Sequence, residues 1–199
     1  MDEESTPAPA LDWVNLPAGV EPQSLWACLH DGDLVRVRSD ALARTAELCF
    51  TVAHIVEHHA LSLDLIFVFR FTGVSELRAL RWEPWPGPEA SNAGLSVGEQ
   101  SARAAEYSSK SRTVSLSWKE FEEVISQRRL EVYEANFVRG EAQVSMRFHG
   151  PSSRDDFHDV AVRGESLSVE RSDGEPCSLE ALVALGEAYW DAFEARDAT

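Results

Sequence analysis

The chain has 199 residues, 44% of them hydrophobic, and its 34 acidic and 18 basic residues give a formal net charge of −16. This length suits one domain with an ample core, and an acidic surface repels the phosphates of nucleic acids and of anionic membranes. Composition and charge therefore argue against nucleic-acid and membrane partners. They favour a soluble protein whose partner, if it has one, is a basic protein.

The first residues and the cysteines indicate the compartment. Residues 1–10, MDEESTPAPA, are acidic and proline-rich, so we expect a disordered arm before a single domain at 11–199. This arm has no signal-peptide pattern, and no apolar run approaches the roughly 18 residues of a membrane span. Cys28, Cys49 and Cys177 form no C-x-x-C pair, so neither a disulfide framework nor a thiolate zinc site is predicted. A cytoplasmic protein without a cofactor is expected.

Alternating apolar residues predict strands in the first part of the chain. Valines alternate with arginines over 34–38, which is the period of a half-buried strand. The same period runs over 45–54 and, with three phenylalanines, over 63–71. We expect these last two segments to form an antiparallel pair joined near residues 55–61.

The middle of the chain predicts a break. Residues 86–110 are rich in glycine, serine and alanine and predict a long loop, which is also the best boundary between two halves at 11–85 and 111–199. Beyond it, Ser117 and Glu120 match a capping box, which predicts a helix over 117–126. The two-residue period then predicts four more strands, at 130–138, 142–149, 157–163 and 166–171.

The final segment predicts the longest helix. Ser178 is a good N-cap, and apolar residues follow at helical spacing over 178–195, a stripe expected to pack on a sheet. The sequence thus predicts an α+β fold, mainly antiparallel sheet with two covering helices. An echo between LHD at 29–31 and FHD at 157–159 supports the alternative that the fold is built of two related halves.

One stretch carries a resemblance to known proteins. The residues LHDGDL at 29–34, with the strand, turn and long strand that follow them to Phe71, resemble the opening of several uncharacterised bacterial domains. Some of those domains are similar to immunity proteins of polymorphic toxin systems. The resemblance implies a small acidic cytosolic protein that binds and blocks a toxin.

Residues 54–58, HIVEH, match the H-x-x-E-H order of ligands and base in one class of zinc peptidase. Such a site needs His54 and His58 on one helical face, with Glu57 beside them and a third protein ligand nearby. The β patterns on both sides predict an extended or hairpin conformation instead. In an extended strand the two histidines lie about 13 Å apart, too far for one ion. We therefore expect no metal ligands here.

Two places are candidate binding sites. Trp82 and Trp85 lie among prolines and either offer a flat aromatic platform to a partner or close the end of a sheet. His30 and Asp31 are adjacent, as are the metal ligands of helical HD phosphohydrolases, but the context here is strand-like and favours a turn.

The motifs of common enzymes are missing from the sequence. It contains no dinucleotide fingerprint, no P-loop and no serine elbow. We therefore expect no catalytic residues, and the leading hypothesis is a non-enzymatic cytosolic protein that binds a basic protein partner. The alternatives are a metal-dependent hydrolase that uses the H-x-x-E-H stretch and a homo-oligomeric structural protein.

Overall fold

The computed structural model describes residues 20–83, 94–102, 112–138, 141–148 and 157–197. Three predictions lie outside these residues: the disordered arm at 1–10, the environment of Trp85 and most of the loop at 86–110. One part of that predicted loop is described, and it is wrong as a loop, because residues 97–102 are helical. The protein is an α+β fold with an antiparallel sheet, as the sequence predicts.

Helices are interspersed among the strands along the chain. The helices are α1 (Pro22–Leu29), α2 (Ala53–His58), α3 (residues 97–102), α4 (Trp118–Gln127) and α5 (Leu179–Asp197). The strands are β1 (Asp33–Asp40), β2 (Thr45–Thr51), β3 (Phe67–Thr72), β4 (Glu76–Glu83), β5 (Arg112–Leu116), β6 (Leu130–Val138), β7 (Glu141–Phe148), β8 (Phe157–Arg163) and β9 (Ser166–Arg171).

The strands form one sheet in the order β5-β4-β8-β7-β6-β1-β2-β3-β9. Strands from the two sides of the 86–110 loop are interleaved in this order, and a duplication of halves stays a prediction. The junction of β1 with β6 is short, since only Asp33 and Leu34 pair across it, with Glu131 and Leu130. The other strand pairs have longer ladders, so this junction divides the sheet into a five-strand and a four-strand part.

The sheet curls around a common interior. Phe69 of β3 and Phe137 of β6 are three strands apart in the sheet order, yet their ring centroids lie 6.2 Å apart. In a flat sheet, strands at that separation would be about 14 Å apart. Strand β3 is connected to β4 by a turn at Gly73, whose φ is positive, at 63°. A side chain at Gly73 would also collide with Glu165, so both conformation and space require glycine there.

The interior of the curl is the hydrophobic core. Phe50, Phe67 and Phe69 are fully buried there, and the rings of Phe50 and Phe69 meet edge to face at 5.3 Å. These residues are the apolar positions of the alternating patterns, so the predicted inward face of β2 and β3 is confirmed. Helix α4 lies against β1 and β4 and contributes Phe121 and Ile125 to the same core.

The predicted capping box of α4 is present. The Glu120 backbone N–H donates to Ser117 Oγ at 3.3 Å, and the Ser117 backbone N–H donates to Glu120 Oε2 at 2.7 Å. These bonds satisfy two backbone donors that have no intrahelical acceptor.

The connection between β2 and β3 differs from the prediction. Residues 53–58 form helix α2 and are neither a strand nor a hairpin. Strand β3 begins only at Phe67, because residues 63–64 form a turn with Leu63 77% exposed, although Leu65 is buried. The physical reason is the ladder: the pairing of β2 with β3 ends at Phe50 and Phe67. A helix satisfies its own backbone groups where no strand partner is available, and it buries both Ile55 and Val56.

Helix α1 was not predicted. Its signals are Pro22 in the first turn and buried residues at helical spacing, Leu25, Cys28 and Leu29. None of the helices in the described ranges combines the length and hydrophobicity needed to cross a membrane.

Candidate functional site: a cluster of aromatic and imidazole rings with an acidic rim

Helices α1, α2 and α5 meet in a group of stacked side-chain rings, here called the ring cluster. Tyr189, Trp190 and Phe193 of α5 form its centre, and their centroids lie 4.9–6.2 Å apart. The other members come from the C-terminal end of α1 and from α2, and they are Trp26, His30, His54 and His58.

Hydrogen bonds between the helices hold the rings in place. The Trp190 Nε1–H donates to the carbonyl of Ala27 at 2.9 Å, which fixes the indole against α1. On the other side of α5, His59 Nε2 donates to the carbonyl of Leu185 at 2.9 Å, which fixes α2. The ring cluster is therefore built on anchored helices and not on a loop.

The His54 ring lies deepest between the partners. Its centroid is 4.6 Å from that of Tyr189 and 5.7 Å from that of Trp190. The His58 ring, one helical turn later, lies 5.8 Å from Tyr189 on the same face of α2. At the end of α1, the His30 ring lies 6.2 Å from Trp190. Imidazoles from two helices thus border the same two aromatic rings.

Burial and charge set the protonation of His54. Burial lowers its pKa below the ordinary value of 6.5, the carboxylate of Asp31 opposes this effect, and His30 adds to it. The imidazole of His54 is therefore neutral at pH 7. Its Nε2 atom is buried and makes no hydrogen bond to any described residue. A buried polar nitrogen without a partner costs free energy comparable to a lost hydrogen bond.

Asp31 brings a carboxylate to the ring cluster. It follows α1 in the left-handed conformation, with φ at 60°, which aspartate tolerates better than most residues. Its Oδ2 atom lies 3.1 Å from His30 Nδ1, and its side chain remains 59% exposed. The predicted binding pair of His30 and Asp31 is thus found beside His54.

The elements that build the ring cluster also carry exposed carboxylates, which we call the acidic rim. Its members are Asp31, which follows α1, Glu57 of α2, and Glu187, Asp191 and Glu194 of α5. Helices α1 and α2 contain no lysine or arginine, and α5 contains only Arg196. Among the described residues, no ion pair involves Glu57, Asp191 or Glu194. The rim is therefore a locally unbalanced negative surface.

The helical conformation of α2 gives the H-x-x-E-H stretch one feature of a zinc site. His54 and His58 share a face, as a hydrolase would require. In the described part of the chain, however, no three His, Cys, Asp or Glu side chains are arranged to hold a metal ion. Two histidines without a third protein ligand fall short of a catalytic zinc site.

The other predicted binding residue lies elsewhere in the fold. Trp82 is half-buried in β4, and its Nε1–H donates to Asp159 Oδ2 of β8 at 2.7 Å. It is not a member of the ring cluster. The bond holds the indole to the sheet, which favours the structural alternative for this residue over a free platform.

Sequence reasoning missed the central residues of the ring cluster. The apolar stripe of α5 predicts packing against the sheet, but the helix packs instead mainly on α1 and α2, with Leu179, Leu182 and Val183 buried. The later aromatic residues emerge from the core, and Phe193 is 42% exposed. The available signal was the composition AYWDAFE at 188–194, in which three aromatic residues are combined with two carboxylates.

Comparison with known proteins found no match among family models, curated proteins or solved structures. A function must therefore be inferred from the chemistry of the ring cluster and the acidic rim.

Proposed function

We propose that the protein is a non-enzymatic, cytosolic binding protein that holds a basic protein partner on the ring cluster and acidic rim, as an immunity-like protein would hold a toxin. The observation that carries this proposal is the combination of half-buried aromatic rings with carboxylates that lack basic neighbours on α1 and α2. Aromatic residues are enriched where binding energy concentrates in interfaces.

The rings are suited to binding because they are already ordered. Trp190 is fixed by its bond to Ala27, and Tyr189 is wedged among His54, His58 and Trp190. Side chains that are held before binding lose little conformational entropy when a partner arrives. The exposed part of each ring can then be buried with a net gain in free energy.

The rim supplies selectivity for charge. The net charge of −16 and the local carboxylates attract a basic protein and repel acidic ones. Such steering acts between exposed charges, so salt weakens it. A partner held in this way binds more slowly as the salt concentration rises.

A charge-reversal experiment tests the proposal. The full chain is used to capture proteins from cells of its source at low and high salt, and the captured protein is identified. The double variant D191K/E194K changes the rim, while E122K/E123K on α4 changes the net charge equally at another place. We expect one basic protein whose capture falls about tenfold with the rim variant and stays within about twofold with the control.

Two outcomes would contradict the proposal. Equal loss with both variants would mean that only the overall charge matters, and no loss with the rim variant would mean that the partner binds elsewhere. A mass that increases with concentration, without a captured protein, would instead support the homo-oligomeric alternative.

The conformation of α2 favours one second candidate, the metal-dependent hydrolase. A helix places His54 and His58 on one face, as the H-x-x-E-H pattern requires, although the described residues provide no third ligand. Elemental analysis of protein purified without chelators tests it. Stoichiometric zinc in the wild type, absent from His58→Ala, would favour the hydrolase.

A further inference from the structure

An open groove lies where the turn between β1 and β2 meets the turn between β3 and β4. It exists because two strand ladders leave a gap: β2 pairs with β3 only as far as Thr72, and β5 pairs with β4 only from Ala79. Between these points the Val74 N–H donates to the Arg44 carbonyl at 2.9 Å. The groove has a volume of about 290 Å³, which is ample for one aliphatic side chain and at the lower limit for a small-molecule site. Its apolar lining residues are Ala41, Val74 and Leu77.

An exposed leucine lies next to this groove on an ordered turn. Leu42, between β1 and β2, is 99% exposed. The backbone N–H groups of Leu42 and Ala43 donate to Asp40 Oδ1, each at 2.9 Å. At the other end of the turn, Arg44 donates to two carbonyls of the β3–β4 turn at 3.0 and 3.2 Å. The backbone of the leucine is therefore held in place before any contact forms, so binding costs little conformational entropy.

Charges around the groove cancel, unlike those of the chain as a whole. Six ionised side chains line the groove or pair with one that does: Asp40, Arg44, Glu76, Arg78, Arg163 and Glu165. Three of them are positive and three are negative. A second copy of a chain with a net charge of −16 is repelled by an acidic surface. At this locally neutral surface two copies can come together without that repulsion.

We propose that the groove receives Leu42 from a second copy of this chain, so that two chains form a dimer with twofold symmetry. A twofold interface uses the same surface of both copies, so each copy must supply both the inserted side chain and the groove. Here the two lie side by side, because Asp40, Ala41 and Arg44 of the leucine's own turn line the groove. This inference goes beyond the proposed function, since it assigns a separate surface to self-association.

The ring cluster stays accessible in such a dimer. Strand β1 leads from α1 to the turn at Leu42, and β2 leads back from this turn to α2. Strand β1 has eight residues and is therefore about 26 Å long. The groove and the acidic rim lie at opposite ends of these strands, so the dimer would present two rims and hold two basic partners.

Other occupants fit the groove less well. Its charged lining groups already form ion pairs, Arg44 with Glu165 at 3.4 Å and Glu76 with two arginines at 2.9 and 3.1 Å. A charged ligand would have to displace these pairs. An apolar side chain leaves them intact, and the removal of Leu42 from water favours its insertion.

Sedimentation velocity of the full chain tests the dimer at concentrations from about 10 μM to about 1 mM. We expect the mass to rise from that of one chain towards that of two. Leu42→Asp should raise the dissociation constant at least about tenfold, because a twofold interface loses the leucine twice and would bury two charges. Leu63→Asp changes another exposed leucine in the same way and should alter the constant by less than about twofold. A wild-type chain that stays monomeric up to about 1 mM, or equal effects of the two variants, would overturn the inference.

Salt and the rim variant distinguish the groove from the acidic rim. Added salt screens the repulsion between two acidic chains, so the dimer should become tighter between about 0.05 and about 0.5 M salt, whereas partner capture should weaken. D191K/E194K should lose partner capture and keep the dimer. A dimer that weakens with salt, or that disappears with the rim variant, would place the contact at the rim and contradict the inference.

Cross-linking locates the contact. In a Cys177→Ser background, in which the remaining native cysteines are buried, chains with Leu42→Cys are mixed with chains with Ser75→Cys. Ser75 is exposed and lines the groove. Mild oxidation should link the two kinds of chain, because a disulfide forms only where the backbones lie close together. Ser168→Cys, exposed on β9, replaces Ser75→Cys in the control and should give few links. Equal linking in both mixtures would show that Leu42 does not enter the groove.

The outcomes for the dimer and for the partner are independent. A dimer that fails these tests while the rim variant abolishes partner capture would remove this inference and leave the proposed function. A dimer that passes them while no basic protein is captured would do the reverse.

Discussion

Gly186 of α5 lies directly against Cys28 of α1. A Cβ atom at position 186 would overlap the Cys28 sulfur and would lie 3.4 Å from the Cys28 Cα and Cβ atoms. The thiol has no room to move, since it is fully buried and its Sγ–H donates to the carbonyl of Leu182 at 3.4 Å. Burial, with a smaller contribution from Glu187, raises the pKa of Cys28 to about 12, so the thiol stays neutral. This contact sets how closely α1 approaches α5.

Gly186→Ala is expected to destabilise the protein by about 1–3 kcal/mol, since the added methyl group must displace the thiol or separate the helices. The measurement is the midpoint of urea unfolding. The effect would outweigh the higher helix propensity of alanine, which favours the variant by roughly 1 kcal/mol. A variant as stable as the wild type would show that the helices can separate without cost.

The control removes the cysteine sulfur together with the glycine. In Cys28→Ala/Gly186→Ala the sulfur is absent, and the remaining contacts of the new methyl group are at 3.4 Å. The double variant should be more stable than the sum of the two single changes predicts, because the two residues are in contact. Strict additivity would contradict a direct contact between them.

His54 should make the stability of the protein depend on pH. Burial holds its pKa in the folded state below 6.5, so the unfolded chain takes up the proton more readily. Its contribution is fully present above the unfolded pKa of about 6.5 and is lost as the pH falls through the folded pKa. Thermal melts at neutral and mildly acidic pH should therefore show a larger loss for the wild type than for His54→Gln. An identical loss in both proteins would mean that other groups cause it.

Ser117→Ala should remove the cap of α4. The change leaves the Glu120 backbone N–H without its acceptor and should cost about 1 kcal/mol, measured by urea unfolding. Ser126→Ala is a suitable control, because Ser126 is exposed in the last turn of the same helix and donates only to the Glu123 carbonyl. If both variants lose the same stability, the capping box contributes nothing specific.

Trp82→Phe should test whether this residue supports the sheet or a partner. Phenylalanine keeps most of the packing but loses the donor to Asp159, for an expected cost of about 1 kcal/mol. Partner capture should be unchanged, because Trp82 lies outside the ring cluster. Loss of capture with an unchanged melting temperature would restore the aromatic platform as the binding site.

Local periodicity predicted the parts of the fold that local forces decide. The alternation of Leu48 and Phe50, and of Phe67 and Phe69, is visible in the sequence because large apolar residues occupy every second position of each strand and are buried there. The helix at α4 was predictable because Ser117 and Glu120 are three residues apart and satisfy the backbone between themselves.

Helix α2 could not be predicted in this way. Its two buried residues, Ile55 and Val56, are adjacent and give no helical spacing over six residues. Its conformation depends on where β3 stops pairing with β2 and on the bond between His59 and Leu185, which is 126 residues away. Both features depend on tertiary contacts, which the local sequence does not reveal.

The ring cluster was predictable only in fragments. His30 and Asp31 attracted notice as a chemical pair and His54 as part of a motif, but nothing in the sequence joins them. They come together on α5, because His30 and His54 both lie against Trp190. The sequence pattern assigned the aromatic residues of α5 to the core. Residues separated by more than a hundred positions meet because of the close contact between α1 and α5.

The short junction between β1 and β6 has a consequence for motion. Opening this junction should require much less free energy than unfolding the protein. The amide hydrogen of Val132, which donates to the Gly32 carbonyl beside the junction, should therefore exchange with solvent before that of Phe69. Helix α1 packs on β6 and leads directly into β1. A partner that holds α1 against α5 would therefore slow hydrogen exchange at this junction. Deuterium uptake by the sheet would then detect binding that takes place on the helices.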